Sequence, residues 1–371
     1  MKLKIERKEI QKALQNIQGI VGIVEKKTTM PILSHFLLRA DETISILATD
    51  LDIAIKGSLR AEVIEKGSLC IPARKLFEIV KELEEDILLE STENNWLQVF
   101  SGKSIFKLMG LPEEEYPSLP EPSHVDVLNI NTDILKGMIE KTIYAVGDND
   151  PRYTLNGLLM HFIPKKKVVE LKIVGTDGHR LSIITKEIEG KISGEKKLIL
   201  PKKAAAELSR ILEEKGISIT VGLNKNHIFF TVDDIQLTSR LIEGTYPDYE
   251  LVIPKGNEKK VMLSRTAFLK VLKRISIMSR EGTNAVRLDI EAEGLTLSSI
   301  NPDLGEAREE MAIQYKGKPI SIGFNARYLM DALKSMDGEY VKLELEDPFS
   351  AALLLETEER GYNCVLMPMR M

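Results

Sequence analysis

The fold is decided by a ten-residue stretch that the chain repeats, first as Pro72-Ala73-Arg74-Lys75-Leu76-Phe77-Glu78-Ile79-Val80-Lys81. It returns as Pro201-Lys202-Lys203-Ala204-Ala205-Ala206-Glu207-Leu208-Ser209-Arg210 and again as Asn325-Ala326-Arg327-Tyr328-Leu329-Met330-Asp331-Ala332-Leu333-Lys334. The third residue of every version is a cation, and so is the tenth. A core helix must repeat its apolar positions, but it has no folding reason to repeat its cations. The chain is therefore predicted to contain three copies of one unit.

A second helical pattern precedes the first in each copy, at residues 5–22, 130–147 and 263–280. Between and after the two helices lie short alternating or β-branched runs, which are typical of half-buried antiparallel strands. Residues 45–50 and 171–177 are examples. Each copy is thus predicted to run helix, strands, helix, strands, which gives an α+β fold with two β-α half-units per copy.

Proline clusters mark the boundaries between the copies. One cluster lies between Pro112 and Pro122, and another segment with prolines extends from Pro247 to Asn257. Proline resists helix continuation and is tolerated mainly at sheet edges, so both segments are predicted to be linkers. We expect three domains, at residues 1–122, 123–254 and 255–371, each large enough to bury a core of its own.

Composition excludes several classes of protein. There is no apolar run of transmembrane length, and the first residues lack the apolar core of a signal peptide. The two cysteines, Cys70 and Cys364, form no metal-binding or redox spacing. A reducing cytoplasm is the expected location.

Charge is distributed unevenly along the chain. The total is −5, from 51 Lys+Arg against 56 Asp+Glu, yet the six helical stretches together carry a net positive charge. On a helical wheel, Phe268, Leu272 and Ile275 share one face, and Lys270 and Lys273 lie on the opposite face. We expect all the helices to turn their cations to solvent, away from the sheets. These cations are Lys12, Arg74, Lys203, Arg210, Lys270, Lys273, Arg274, Arg327 and Lys334.

Two interpretations fit these cations. Solvated helix faces usually carry lysine and arginine, and for a single helix that explanation would suffice. A matched register over six helices favours a continuous electropositive surface that follows a phosphate backbone. Since no recognition helix with Asn, Gln or Arg fingers is apparent, such binding would be salt-sensitive and independent of base sequence.

Signals for catalysis are weak. Gly102-Lys103-Ser104 resembles the end of a phosphate loop, but Leu97 stands where the first glycine should be. Asp177 and His179 suggest a hydrolase, which we keep as the alternative function, although a turn with Asp and Gly is the simpler explanation of the segment. The five histidines give no metal-ligand spacing, so neither a metal nor a cofactor is predicted. A third hypothesis is a repeat scaffold that binds peptides and no nucleic acid.

Four motifs in order resemble one known family. They are Thr176-Asp177-Gly178-His179-Arg180-Leu181, Tyr246-Pro247-Asp248-Tyr249, Phe324-Asn325-Ala326-Arg327-Tyr328-Leu329 and Met367-Pro368-Met369-Arg370-Met371. With the three-copy pattern they resemble the bacterial β sliding clamps of the DNA polymerase III holoenzyme, over the whole of residues 1–371.

The resemblance implies three tandem DNA-clamp domains and a head-to-tail homodimeric ring, with helices lining the hole and antiparallel sheets on the outer rim. It implies a processivity factor without catalysis that encircles double-stranded DNA and binds no membrane. The implied partners are the polymerase III α subunit, the clamp loader, and other polymerases and repair proteins that dock through short linear motifs.

The resemblance also assigns residues. In the family, the loop positions of Lys27, Asn149 and Tyr153 touch DNA. Partner peptides, roughly of the type Gln-Leu-x-Leu-Phe, bind an apolar pocket between copies two and three. The matching positions are Leu155, Thr176, Gly178, His179, Arg180, Leu181, Pro247, Val252, Asn325, Tyr328, Phe349, Val365, Met367, Pro368, Met369 and Arg370.

A dimer contact is expected at two further places. Ile277 falls opposite the buried stripe of its helix, with Met278 beside it. An exposed apolar helix end indicates a contact with another protein surface. Phe106 and Leu108 alternate with Lys107 on a predicted strand, so both can point to one face. These four apolar positions match the family's contact between copy one of one subunit and copy three of the other.

Overall fold

The computed structural model of the chain describes residues 1–24, 30–121, 126–213, 217–357 and 361–370. Within these ranges the backbone forms six α-helices, two in each copy as predicted. They are α1 Arg7–Val24, α2 Ala73–Glu82, α3 Thr132–Ile143, α4 Lys202–Glu213, α5 Arg265–Ile275 and α6 Ala326–Lys334. No described helix combines the length and the apolar composition needed to cross a membrane.

The chain divides into two compact units, of which the first comprises Met1–Asp133 and Ala206–Leu241. Its strands, numbered along the chain, are β1 Lys2–Ile5, β2 His35–Ala40, β3 Ile44–Thr49, β4 Ile53–Leu59, β5 Glu62–Glu65, β6 Gly67–Pro72, β7 Ile87–Ser91, β8 Trp96–Ser101, β9 Ser104–Met109, β10 Asp126–Asn131, β15 Ser218–Leu223, β16 His227–Val232 and β17 Ile235–Arg240. They form a five-stranded sheet in the order β5-β1-β7-β8-β9 and an eight-stranded sheet in the order β10-β15-β16-β17-β4-β3-β2-β6.

The second unit comprises Ile134–Ala205 and Ile242–Met371. Its strands are β11 Gly157–Pro164, β12 Val168–Thr176, β13 Arg180–Glu189, β14 Lys196–Pro201, β18 Lys259–Ser264, β19 Ala285–Ile290, β20 Gly294–Asn301, β21 Gly305–Ala312, β22 Ile320–Asn325, β23 Tyr340–Leu345, β24 Ala352–Glu356 and β25 Tyr362–Leu366. One sheet has the order β14-β11-β12-β13-β25-β24-β23-β18, and a four-stranded sheet has the order β21-β20-β19-β22.

In each unit one sheet is shared between two copies of the repeat. In the first unit β4 of copy one pairs antiparallel with β17 of copy two, with Ala54 opposite Thr238. In the second unit β13 of copy two pairs with β25 of copy three, with Leu181 opposite Val365. Neighbouring copies therefore meet through main-chain hydrogen bonds, which the sequence pattern does not reveal.

The helices bury the faces that their apolar spacing predicts. In α5 the buried residues are Phe268, Val271, Leu272 and Ile275, the stripe expected from the helical wheel. The α-helix ends at Ile275, however, and residues 276–278 continue as a 3-10 turn. The expectation that Ile277 continues the α-helical register is therefore wrong. Ile277 is nonetheless 75% exposed.

Candidate functional site

An apolar pocket in the second unit collects many of the residues assigned to peptide binding. Its volume is about 120 Å³, and it lies between the start of β13 and the segment that follows Tyr246. The lining residues are Arg152, Leu155, Thr176, Gly178, Arg180, Leu181, Pro247, Asp248, Tyr249, Val252, Val365 and Met367. Strand pairing places Leu181 and Val365 side by side in its wall.

The turn between β12 and β13 shapes one side of this pocket. The Thr176 hydroxyl donates to the Arg180 carbonyl (2.6 Å) and accepts from the Gly178 amide (3.0 Å). The Asp177 carboxylate accepts from the amides of His179 (2.9 Å) and Arg180 (3.1 Å). Gly178 has φ +83°, in the left-handed region that glycine adopts without steric cost. The Asp177 carboxylate thus closes a turn. The His179 ring stacks against the Tyr328 ring and forms no catalytic pair with Asp177.

Arg180 is a nearly buried cation whose groups are all engaged. Its guanidinium donates to Asp331 (2.8 Å), to Asp177 (3.1 Å) and to the Tyr144 carbonyl (2.6 Å). The guanidinium carbon also lies 4.4 Å from the Tyr328 ring centroid, in range for a cation–π interaction. Carboxylates on two sides offset the cost of burying this charge, so Arg180 holds the turn against α6.

The other residues assigned to peptide binding do not line the pocket. The Met367 amide donates to the His179 carbonyl (3.0 Å), and the Met369 amide donates to the Gly323 carbonyl (2.8 Å). The Asn325 side chain caps α6 by accepting from the Arg327 amide. The assigned residues outside the lining are His179, Asn325, Tyr328, Phe349, Pro368, Met369 and Arg370, and among them Phe349 is 75% exposed.

Three residues that line the pocket were not predicted from the sequence: Arg152, Asp248 and Tyr249. Asp248 and Tyr249 belong to the motif that begins at Tyr246, so the motif itself carried a signal for them. Arg152 had none. Its guanidinium forms a two-point contact with the Asp150 carboxylate (3.0 and 2.8 Å), and these hydrogen bonds lower the pKa of Asp150 to about 2.

The cations of the helix faces fall into two groups. Lys12, Arg74, Lys270, Lys273, Arg327 and Lys334 are exposed, and Lys203 and Arg210 are half-buried. Tyr153 is 60% exposed, Asn149 is exposed in a left-handed conformation with φ +56°, and Lys27 lies outside the described residues.

Arg274 is exposed and Arg210 is half-buried, and each is bonded to another element of the fold. Arg274 forms an ion pair with Glu309 of β21, so the prediction that it points away from the sheets is wrong. Its hydrogen bonds lower the pKa of the Glu309 carboxyl. Arg210 donates to the carbonyl of Asn16 in α1 and to Glu207 in its own helix. Both guanidiniums therefore have protein partners that offset their charge.

The residues assigned to the dimer contact lie on an edge strand and in a 3-10 turn beside another edge strand. β9 ends its sheet, and Phe106 is 37% exposed while Ile105 and Met109 are 68% and 62% exposed. Leu108 is half-buried on the same face as Phe106. β21 ends the four-stranded sheet, with Met278 close to its first residue, Gly305. Exposed apolar edge strands are templates for pairing with another chain.

Comparison with known families matches the three copies in order. Family models of the DNA polymerase III beta subunit match as the N-terminal domain over residues 1–120, the central domain over 129–248 and the C-terminal domain over 250–370. The chain belongs to the DNA polymerase III beta subunit family.

Its similarity to individual members extends over the full length. The beta sliding clamp of Pseudomonas putida is 35% identical, with 100% of both chains covered. Two solved structures are each 34% identical with complete coverage of both chains. They are the Caulobacter crescentus beta sliding clamp with polyethylene glycol at its beta-motif tethering region, at a TM-score of 0.94, and the Pseudomonas aeruginosa sliding clamp bound to griselimycin, at 0.93.

Family membership decides between the functional hypotheses. The chain has the role of a sliding clamp, a processivity factor of DNA replication that performs no catalysis. The hydrolase alternative centred on Asp177 and His179 has no support, because the Asp177 carboxylate is used by its turn and the relatives are clamps.

Proposed function

We propose that two copies of this chain join head to tail into a ring that encircles double-stranded DNA and tethers the replicative polymerase in the cytoplasm. Each of the two chains would supply three clamp domains, at residues 1–122, 123–254 and 255–371. One observation carries the proposal: cations recur at matched positions of amphipathic helices, and Arg327 is exposed at the repeat position where Arg74, also exposed, is paired with Glu78 of its own helix. Such a surface contacts phosphates regardless of sequence.

The edge strands β9, with exposed apolar residues, and β21, with charged residues, support the head-to-tail contact. Lys107 lies on β9 and Lys103 directly before it, whereas β21 carries Glu306, Glu309 and Glu310 with a single cation, Arg308. Glu309 is paired with Arg274 and Glu310 with Arg308, which leaves Glu306 as the carboxylate of β21 outside these two pairs. A basic edge and an acidic edge are electrostatically complementary. We infer that β9 of one chain pairs with β21 of the other chain, with Ile277 and Met278 packing against Phe106 and Leu108. Burying Ile277 and Phe106 would contribute roughly 1.5–3 kcal/mol each per interface.

The pocket around Leu181 is proposed to dock short linear motifs of the polymerase α subunit, the clamp loader, and other polymerases and repair proteins. Its walls are mainly apolar, and Met367 adds an adaptable side chain that suits varied ligands. The tethering region of the Caulobacter crescentus clamp, occupied by polyethylene glycol, supports a ligand-binding role for this part of the family's fold. Leu251, which is 82% exposed, and Phe349 would extend the contact outside the pocket.

Retention on DNA tests the ring directly. The protein is loaded onto nicked circular DNA by a bacterial clamp loader, and its retention is followed by gel filtration before and after the circle is linearised. We expect it to stay on the circle and to leave the linear form, because a ring is held by topology and not by affinity. Equal loss from both forms, together with a monomeric mass on sizing, would contradict the proposal.

A further inference from the structure

The first unit contains a second groove built on the same plan as the peptide pocket and its surroundings. The Tyr246 hydroxyl donates to the Val174 carbonyl on β12 (3.3 Å), and the Tyr116 hydroxyl donates to the Leu47 carbonyl on β3 (3.1 Å). Each tyrosine precedes a proline and begins the segment that leaves its copy of the repeat. The same tyrosine therefore fixes the linker to the same place on the sheet in both units.

The turns next to these carbonyls also match bond for bond. The Thr49 hydroxyl donates to the Ile53 carbonyl (2.8 Å) and accepts from the Leu51 amide (3.0 Å). The Asp50 carboxylate accepts from the amides of Asp52 and Ile53. This is the pattern of the turn at Thr176. Its second central position is Leu51 at φ +79°, where the other turn has a glycine.

The groove lies between this sheet and residues 113–121. Its volume is about 770 Å³. Strand pairing sets one row across its floor, in which Gln236 lies opposite Lys56, Lys56 opposite Leu47 and Leu47 opposite Leu37. Tyr116, Pro117 and Leu119 form the wall above the apolar end of that row. The floor therefore changes from apolar at Leu37 to polar at Gln236.

A cavity in the second unit is the counterpart of this groove. It has a volume of about 640 Å³ and includes Leu159, which corresponds to Leu37. It shares Pro247, Asp248 and Tyr249 with the proposed peptide pocket. A ligand in that pocket thus lies next to the surface that the first unit repeats.

One repeat position differs in charge between the two units, and the difference indicates a ligand. Lys56 occupies the repeat position of Ile183, which is buried in the apolar core of the second unit, and Thr238 occupies the position of Val365. The exposed Lys56 ammonium makes no ion pair with any described residue, whereas Arg39 at the other end of the groove is paired with Glu113. A cation beside the apolar part of a groove suits a carboxylate placed a few residues from an apolar side chain.

We propose that this groove docks a second, extended peptide segment, which sets an apolar side chain against Leu37, Leu47 and Leu119 and a carboxylate against Lys56. The exposed carboxylates of Glu114 and Glu121 on the rim would select against a run of acidic residues. The assignment rests on the proposed peptide docking at the first pocket, because the groove's counterpart in the second unit borders that pocket and shares Pro247, Asp248 and Tyr249 with it. It gives each chain two docking surfaces of different specificity.

The test counts binding events on the full chain. The probe is the amidated peptide Gln-Leu-Asp-Leu-Phe, titrated by calorimetry and by methyl NMR of leucine-labelled protein. We expect a tight event at the first pocket and a weaker event that shifts the Leu37, Leu47 and Leu119 methyl signals. Lys56→Glu should weaken the second event about tenfold, as reversal of one charge partner predicts, and leave the first unchanged.

Matched controls separate this proposal from the proposed function. Lys66→Glu changes the charge equally at an exposed lysine outside the groove, so both events should persist. A probe with lysine in place of aspartate should bind the second site no better in the wild type than in Lys56→Glu. A single event, or a second event indifferent to Lys56→Glu, would overturn the second groove and leave the first pocket standing. If the wild-type protein shows no tight event at the first pocket, the proposed function is contradicted.

Discussion

The guanidinium carbon of Arg180 lies 4.4 Å from the centre of the Tyr328 ring, so a strand of copy two is tied to a helix of copy three. The same guanidinium is hydrogen-bonded to Asp331 and Asp177. Arg180→Gln would leave two carboxylates without their cation beside the pocket. We expect the free energy of unfolding to fall by about 2–3 kcal/mol and the affinity for the motif peptide to fall at least about tenfold.

Urea titration and peptide calorimetry measure the two effects of Arg180→Gln. Arg287→Gln is the matched control, because the Arg287 side chain is half exposed where it pairs with Asp289 and solvent-exposed pairs contribute roughly 0–1 kcal/mol. Equal effects of the two substitutions would show that Arg180 does not organise the pocket.

Local pattern predicted the helices and their buried faces, because α5 and α6 follow an apolar spacing that depends only on neighbouring residues. The same local pattern could not predict which residues from other segments contact these side chains. Arg274 meets Glu309 from a strand distant in sequence, and Arg152 reaches the pocket through a loop contact with Asp150. Helical register alone places a cation on a face without showing which carboxylate lies opposite it.

The pocket itself was predicted by resemblance and not by spacing. Leu155, Leu181 and Val365 belong to three separate segments, and only the pairing of β13 with β25 brings two of them together. Strand register between copies depends on long-range contacts. The repeat pattern contains no information about which strands of adjacent copies pair.

The exposed lysines of α5 are predicted to contribute to retention on DNA. Lys270→Glu combined with Lys273→Glu should shorten the lifetime on nicked circular DNA and weaken its salt dependence, because about two phosphate contacts are lost. Arg274 is left unchanged, since its charge is already offset by Glu309. Lifetimes at several salt concentrations provide the measurement.

Lys316→Glu with Lys318→Glu makes the same change in net charge at exposed lysines outside the helices and should leave retention unaltered. If this control pair shortens the lifetime as much as the α5 pair does, total charge and not the helix face governs retention.

The dimer contact predicts a monomeric variant. Ile277→Ala with Met278→Ala removes apolar area at the end of α5 while the buried stripe of the helix stays intact. We expect a folded monomer at sub-micromolar concentration that still binds the motif peptide and no longer stays on circular DNA. Analytical ultracentrifugation reports the mass.

Val127→Ala with Ile217→Ala trims two exposed apolar side chains on the first unit, 52% and 85% exposed, and should remain dimeric. A dimer of the Ile277→Ala, Met278→Ala variant at the same concentration would place the interface elsewhere.

His35 makes stability depend on pH. Burial lowers the pKa of the His35 imidazole below its ordinary 6.5. The unfolded chain therefore binds the proton more readily, so the free energy of unfolding decreases as the pH falls from 6.5 through the lower folded pKa. His35→Gln cannot take up that proton and should show a flatter profile between pH 7 and pH 5 in urea titrations. An unchanged slope would mean that other groups dominate the pH dependence.

Leu51 occupies a left-handed backbone conformation, φ +79°, where the equivalent turn of copy two has Gly178 at φ +83°. A branched side chain in this region costs roughly 1–2 kcal/mol, and its own side chain is 54% exposed and recovers little of that by burial. Leu51→Gly should raise the free energy of unfolding by about 0.5–1 kcal/mol, the relieved strain less the added freedom of the unfolded chain.

Asn94→Gly is the control, because Asn94 is also left-handed at φ +63° and asparagine adopts that conformation at little cost. If Leu51→Gly destabilises the protein in thermal and urea unfolding while Asn94→Gly is neutral, the exposed leucine makes contacts that outweigh its backbone strain.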